Sequence, residues 1–186
     1  MERPSPGPLI GDPQRQATDS IRGYVYQIHQ TVFCWLDLIC QPASVVYVEA
    51  AEDFDVRTAT NVTANQVKDS SSSITLASAS ARAALSNFFK ISQLNADTVD
   101  YRYLTTASVG KEQKLQFPGN LPGIEYWKHV QTGLAPVAPL KSELLKLDLD
   151  DALKTWLASA SDDELLAILV RPFHWCHDQP HLVWWP

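Results

Sequence analysis

The stretch VVYVEAAEDFDV at residues 45–56, followed by NQVKDS at residues 65–70, decides the fold of this chain. Both segments contain apolar and β-branched runs typical of strands, and the polar connection between them predicts a hairpin. Side chains two positions apart on a strand face the same way. Gln66 and Lys68 are therefore expected to project together, and the hairpin partner would bring Asp55 beside them.

The chemistry of these side chains suits a divalent metal. The carboxylate of Asp55 and the amide oxygen of Gln66 are hard donors of the kind that Mg²⁺ or Mn²⁺ takes, with Asp53 as a further ligand. The ammonium of Lys68 would orient a water or stabilise charge on a phosphate. The alternative is a surface hairpin with solvated charges and a weak ion pair at Lys68. The acids lie within an otherwise apolar run, where a charge needs a partner, and this favours the site.

The flanking sequence predicts an α/β fold. Apolar residues at 21, 24, 25, 28, 32, 35, 36 and 39 predict a long amphipathic helix over residues 19–40. Residues 44–56 predict one long strand or two short ones with a bend near Ala50 and Ala51. The expected later elements are strands over 62–68 and 101–107, helices over 81–94, 124–131, 140–147 and 149–157, and a helix from a Ser161–Glu164 capping box to Arg171. We expect a flexible arm over 1–17, a core over 18–116 and a helical appendage over 117–186 that links to a further domain.

Five segments recur here in an order that resembles a known class. They are GYVYQ (23–27), VEAAEDFDV (48–56), NQVK (65–68), ARAALSNFFK (81–90) and YRYLTTAS (101–108). The chain is similar over about residues 18–110 to PD-(D/E)xK double-stranded-DNA endonuclease domains of prokaryotic antiphage effectors. These are the CD-NTase-associated nucleases and the N-terminal nucleases of STAND NTPases, distant relatives of Mrr enzymes. The resemblance implies a restriction-endonuclease-like core, a mixed β-sheet flanked by helices.

The resemblance also implies roles for individual residues. Asp55 matches the metal-binding acid, Gln66 the variable Glu/Gln ligand and Lys68 the catalytic lysine. Glu49 matches an acid on the preceding strand, and Gln27 matches the glutamine of the first helix, at the rim facing DNA. The implied activity is Mg²⁺- or Mn²⁺-dependent endodeoxyribonuclease activity.

The charge balance argues against a nucleic-acid partner. The net charge is −6, with ten basic against twelve acidic residues over 1–118 and five against nine over 119–186. Asp69, directly after the catalytic-lysine position, also departs from the family pattern and would lower local phosphate affinity. A local basic stripe could still contact phosphates, and Arg82 and Lys90 lie near one face of the second predicted helix. The stripe comprises Arg22, Arg57, Lys68, Arg82, Lys90, Arg102, Lys111 and Lys114.

Composition indicates one globular domain. Hydrophobic residues make up 45% of the 186 residues and charged residues 19%, and no apolar run is long enough to cross a bilayer. The first residues lack the apolar segment of a signal peptide, and three cysteines form no disulfide framework. A cytoplasmic protein without a membrane partner is therefore expected.

Other motifs favour bland interpretations. His174, Cys176, His177 and His181 in HWCHDQPH offer metal-ligand chemistry, but their spacing and Pro180 favour structural packing. The six tryptophans are expected mostly in the core, with a few at a partner interface. The segment ASVGKEQ lacks the spacing of a P-loop, so an NTPase activity would lie outside this chain.

Two functions follow from these observations. The first is a metal-dependent DNA endonuclease effector of a prokaryotic antiviral system, activated by oligomerisation. Its partners would be double-stranded DNA, further copies of itself, and a sensor or NTPase domain. The second is a non-catalytic interaction module that keeps a nuclease-like fold within a larger defence complex.

Overall fold

The computed structural model of the chain describes residues 18–39, 44–95 and 98–180, with side chains described from residue 21 onward. The predicted arm over 1–17, together with His181, lies outside these ranges. The strands are β1 (Val45–Val48), β2 (Phe54–Arg57), β3 (Val62–Lys68), β4 (Val99–Thr105) and β5 (Phe173–Cys176). The helices are α1 (Thr18–Leu38), α2 (Ala79–Leu94), α3 (Gly123–Gln131), α4 (Val137–Leu144), α5 (Asp151–Ser159) and α6 (Asp162–Leu165), which a wide turn extends over Leu166–Val170.

The strands form a five-stranded mixed sheet in the spatial order β1-β2-β3-β4-β5. The first three strands pair antiparallel as a meander. Helix α2 then carries the chain to β4, which pairs parallel with β3, and β5 joins parallel to β4. The fold is thus a mixed α/β arrangement, as the sequence predicts.

Strand β5 comes from the part of the chain expected to be a separate helical appendage. Its residue Phe173 lies beside Tyr101 of β4, with ring centroids 4.8 Å apart, and Phe88 of α2 packs on both rings. One hydrophobic cluster extends from β3 through α2 to α6. The cluster includes buried residues on both sides of residue 117, from Ala64 to Trp175.

The two faces of the sheet are covered differently. Alternation along β3 directs Ala64 towards α2 and the C-terminal helices, where it joins the large cluster, and directs Val67 towards α1. The α1 side holds a cluster of only four buried residues, Tyr26, Phe54, Val56 and Val67. The α2 side is a closed core, whereas the α1 side is one helix thick.

Helix α1 turns the predicted apolar stripe outward. Tyr26 and Thr31 are buried, and Cys34 and Leu38 are half-buried against the sheet. Seven large side chains at helical spacing stay exposed, and we call them the α1 stripe: Ile21, Tyr24, Ile28, Val32, Trp35, Leu36 and Ile39. The expectation that the tryptophans lie mostly in the core therefore does not hold for Trp35, which is 53% exposed.

Candidate active site

The pairing of β2 with β3 sets the geometry of the predicted site. Asp55 lies opposite Ala64, and one further step in the same register brings Asp53 opposite Gln66. Asp53 Oδ2 accepts a hydrogen bond of 2.6 Å from the backbone N–H of Val67. Asp55 therefore lies on the sheet face of the Gln-x-Lys motif, and Asp53 is hydrogen-bonded to the strand that carries this motif.

A tight bend between β1 and β2 presents these acids. Glu49 adopts a left-handed backbone conformation with φ of 54°, and its N–H donates to the carbonyl of Asp53 at 3.1 Å. Asp55 Oδ2 in turn accepts from the backbone N–H of Ala51 at 2.9 Å. The bend brings Glu49, Glu52, Asp53 and Asp55 to one end of the β2–β3 hairpin. The predicted bend near Ala50 and Ala51 is present.

Gln27 of α1 reaches the same bend. Its Nε2 donates to Glu49 Oε1 at 2.7 Å and makes a longer bond of 3.4 Å to the carbonyl of Asp53. The helix thereby fixes the position of the bend over the sheet. Gln27 and Glu49, which the resemblance placed at the site, are thus in direct contact with each other.

Two acceptor oxygens of the site have no hydrogen-bond partner. Asp55 Oδ1 and Gln66 Oε1 are both shielded from solvent and accept nothing from the described residues. A buried acceptor without a partner costs free energy, and native folds contain few of them. Carboxylate and amide oxygens of this kind are ligands that a divalent cation takes. The small number of protein ligands also suits Mg²⁺, because this ion binds through one or two carboxylates and keeps several waters.

Burial perturbs the acids of the bend. It raises the pKa of Asp53, while the hydrogen bond from Val67 and the nearby Lys68 ammonium act in the opposite direction. Burial also raises the pKa of Asp55 against hydrogen bonds from two backbone N–H groups. Carboxylates held in a partly dry site lose hydration, so a positive charge is favoured beside them.

Glu52 is a further acid at the bend, and no role was predicted for it from the sequence. Its side chain lies beside Tyr101 and Asn87, and burial raises its pKa, helped by the charges of Asp53 and Asp55. The Tyr101 hydroxyl is buried without a hydrogen bond of ordinary geometry. Asn87 and Tyr101 lie on α2 and β4, so only the fold reveals that they meet Glu52.

Asp69 has a structural role at the base of α1. Its carboxylate is only 6% exposed and accepts from Arg22 Nε at 2.6 Å and from Thr106 Oγ1 at 2.9 Å. Arg22 belongs to the first turns of α1. The acid therefore joins α1 to the ends of β3 and β4, and the arginine balances its charge beside Lys68.

The two basic residues predicted to contact DNA both have acidic partners within the chain. Arg82 Nη1 donates to the Asp148 carboxylate at 2.8 Å, and Lys90 pairs with Asp150 at 3.0 Å. These pairs connect α2 to the segment before α5. Much of the charge of Arg82 and Lys90 is thereby used in packing the C-terminal helices.

The described histidines near the C-terminus, His174 and His177, have different surroundings. His174 and Cys176 lie two apart on β5 and share a face, whereas His177 follows the strand and pairs with Glu125 at 3.2 Å and with Asp178 at 2.5 Å. Across residues 18–39, 44–95 and 98–180, no group of three or more His, Cys, Asp or Glu side chains is placed to hold a metal. A metal at the candidate site would therefore rely on the amide oxygen of Gln66 beside the carboxylates.

Comparisons with family models, with curated proteins and with solved structures gave no match. Within the described ranges, no helix has both the length and the apolar character needed to cross a membrane. The geometry of the bend and of strand β3 is therefore the basis for inferring a function.

Proposed function

We propose that this chain is a metal-dependent endonuclease that hydrolyses phosphodiester bonds in double-stranded DNA, as an effector of a prokaryotic antiviral system that oligomerisation activates. The observation that carries the proposal is the pair of partnerless buried oxygens, Asp55 Oδ1 and Gln66 Oε1, on the sheet face that also carries Lys68. Ligand oxygens and an ammonium on one face are the groups that phosphodiester hydrolysis requires.

The order of elements supports the same class. A helix, a three-stranded antiparallel meander, a second helix and a parallel strand follow one another as α1, β1–β3, α2 and β4. This is the order that the resemblance to restriction-endonuclease-like nucleases implies. The acid precedes the Gln-x-Lys strand by one hairpin, so both reach the same end of the sheet.

Each site residue has a distinct proposed role. Asp53, Asp55 and Gln66 would hold Mg²⁺ or Mn²⁺, with Glu49 supporting Asp53 from the bend. A metal at this position supplies Lewis-acid polarisation of a phosphate oxygen and lowers the pKa of a water. Lys68, which is exposed, would stabilise the charge that develops on the phosphate.

Positioning falls to the residues around this set. Gln27 holds the bend through Glu49, which keeps the backbone of Asp53 fixed relative to β3. A Cβ placed at Gly23, one turn earlier in α1, would meet no atom within 4 Å. Packing within the chain therefore does not require glycine there, and the space is open for the close approach of a DNA backbone.

Plasmid cleavage by the purified chain with Mg²⁺ or Mn²⁺ tests the proposal. We expect Lys68→Ala to lower the cleavage rate by about a hundredfold or more, because it removes a group that stabilises transition-state charge. The matched control is Lys154→Ala, which changes a half-buried lysine on α5 outside both the site and the basic stripe and should retain the wild-type rate. A wild-type rate in Lys68→Ala, or no cleavage by the wild-type chain with either metal, would contradict the proposal.

A second candidate function is a non-catalytic interaction module with a nuclease-like fold. Two observations favour it. Asp53 Oδ2 and Asp55 Oδ2 already accept backbone hydrogen bonds, as structural aspartates do. The α1 stripe also offers a large apolar contact surface. A divalent-metal titration separates the two functions, because the module requires no metal near Asp55.

A further inference from the structure

The α1 stripe is an unusual surface for an isolated chain. Its seven side chains are between 46% and 63% exposed and follow one another every three or four residues along the helix. Val48 of the edge strand β1, 59% exposed, continues the stripe. A groove of about 210 Å³ between α1 and β1 is lined by Tyr24, Ile28, Val32 and Val48 among others.

The area of this surface matches one side of a stable protein interface. With side chains of this size, the stripe and Val48 expose on the order of 800 Å². The largest apolar patch on a typical monomer covers about 300–600 Å², whereas each partner in a standard interface buries about 800 Å². The surface is therefore too large for an ordinary monomer and large enough for a specific complex.

The outer side of α1 also lacks the charges that keep a surface helix solvated. No Asp, Glu, Lys or Arg occurs between Gly23 and Leu36. Arg22, just before this segment, is paired with Asp69 on another side of the helix. Charged residues normally occupy the solvent-facing side of a surface helix, and their depletion is typical of the core of an interface.

We infer that the α1 stripe, together with Val48, is the contact surface of a symmetric homodimer in which α1 of one copy packs antiparallel on α1 of a second copy. A twofold interface uses the same patch on both subunits, so the patch must complement itself. The stripe is centred between Ile28 and Val32, and a twofold axis there sets Ile28 of one copy against Val32 of the other. An antiparallel arrangement also opposes the two helix dipoles. This inference does not rest on the proposed nuclease activity.

Segments of the same chain fit this surface less well than a second copy does. Residues 1–17 contain four prolines and, apart from the initiating Met1, only two large apolar side chains, Leu9 and Ile10, too few to cover eight. Residues 181–186 follow a segment that is held beside β4, where Gln179 N–H donates to the Thr105 carbonyl at 3.0 Å. Val48 lies on β1, at the opposite edge of the sheet.

The contact surface borders the candidate site. The groove between α1 and β1 is also lined by Gln27 and Glu49, which hold the bend that carries Asp53. Packing a second helix into this groove would restrict both side chains. Dimerisation would thereby stabilise the arrangement of the bend.

Sedimentation equilibrium on the full 186-residue chain, from low to high micromolar concentration, tests the inference. The wild-type chain should show twice the mass of the 20.7 kDa monomer. Ile28→Asp and Trp35→Asp should each raise the dimer dissociation constant by about thirtyfold or more, as expected for central contacts. The matched control is Leu94→Asp, which changes a side chain on α2 that is 84% exposed and should leave the dimer intact.

Each result of this experiment either supports or overturns the proposed dimer, even when one variant fails to fold. A wild-type chain that is monomeric at the highest concentration overturns the inference. A stripe that residues 1–17 or 181–186 of the same chain cover would give this result. A wild-type dimer whose affinity is unchanged in both α1 variants places the interface elsewhere and overturns it as well. Should an aspartate variant lose its helical circular dichroism, Tyr24→Arg replaces it at another exposed position. Loss of the dimer in a folded stripe variant, with the control intact, supports the inference.

Discussion

Both sides of the sheet carry apolar residues, but the two sides differ in how completely they are covered. On the α2 side, thirty buried residues from β3 to β5 form one cluster beneath the C-terminal helices. On the α1 side, four buried residues support a helix whose outer surface is as apolar as its inner one. The α2 side is closed within the chain, whereas the α1 side is the one that we propose a second copy completes.

The candidate site lies where these two regions meet. Gln66 and Lys68 belong to β3, whose inward residues join the large cluster, while Gln27 reaches the bend from α1. The strand end is therefore held by a rigid core, and the bend is held by the thin side of the fold. The half of the site on β3 is therefore fixed by the core. Contacts at α1 can influence the other half, which is the bend.

Truncation of matched phenylalanines would reveal the difference in packing most strongly. Phe88 on the α2 side is 1% exposed and Phe54 on the α1 side is 2% exposed. We expect Phe88→Ala to lower the free energy of unfolding by about 5 kcal/mol and Phe54→Ala by about 3 kcal/mol, because a thin layer collapses more readily around a cavity. Urea unfolding of the two variants measures this, and equal losses would contradict the comparison.

Two ion pairs provide a smaller contrast of the same kind. Asp69, with a side chain only 6% exposed, holds α1, whereas Asp148, which is 94% exposed, pairs with Arg82 on the α2 side. We expect Asp69→Ala to cost about 1–3 kcal/mol, because it removes the buried acceptor of Arg22 and leaves the Thr106 hydroxyl with only the Ser70 carbonyl at 3.1 Å. Asp148→Ala should cost under about 1 kcal/mol, as exposed pairs do.

Urea unfolding of both variants again supplies the measurement. A loss in Asp69→Ala no larger than that in Asp148→Ala would show that the buried pair does not anchor α1. Hydrogen exchange in the first turns of α1 offers a check, because loss of the anchor should increase exchange there.

The sequence predicted the order of elements well because local patterns determine them. Strand β3 has the predicted bounds of 62–68, and the capping box at Ser161 and Glu164 forms as expected, with both of its reciprocal hydrogen bonds. Strand β5 was not predicted. It has only four residues, and the segment that contains His174 and Cys176 was interpreted as structural packing with no strand assigned.

The contacts between elements were harder to predict than the residues at which the elements begin and end. The periodicity of α1 identified the apolar stripe, but a stripe only indicates that something covers it and does not say whether the cover belongs to the same chain. For the same reason, the pairing of Arg82 with Asp148 across 66 residues left no local signal. The strand register, which local patterns do not determine, places Asp55 opposite Ala64 rather than opposite Gln66.

Metal binding by the purified chain is the most direct test of the proposed metal site at Asp55 and Gln66. Isothermal titration with Mn²⁺ and thermal unfolding with and without the ion would follow the wild-type chain, Asp55→Asn and Gln66→Leu, with Asp163→Asn on α6 as the control. Asparagine keeps an oxygen for the Ala51 N–H, and since burial raises the pKa of Asp55, the neutral side chain should not weaken the metal-free fold at neutral pH.

We expect saturable binding of Mn²⁺ to the wild-type chain and to the Asp163→Asn control. The free energy of unfolding should rise by about 1.4 kcal/mol when the metal reaches ten times its dissociation constant. Both site variants should lose this stabilisation, because each removes one of the two buried oxygens that lack a partner. No saturable binding to the wild-type chain, or equal binding by all four proteins, would contradict the claim that Asp55 and Gln66 form a metal site.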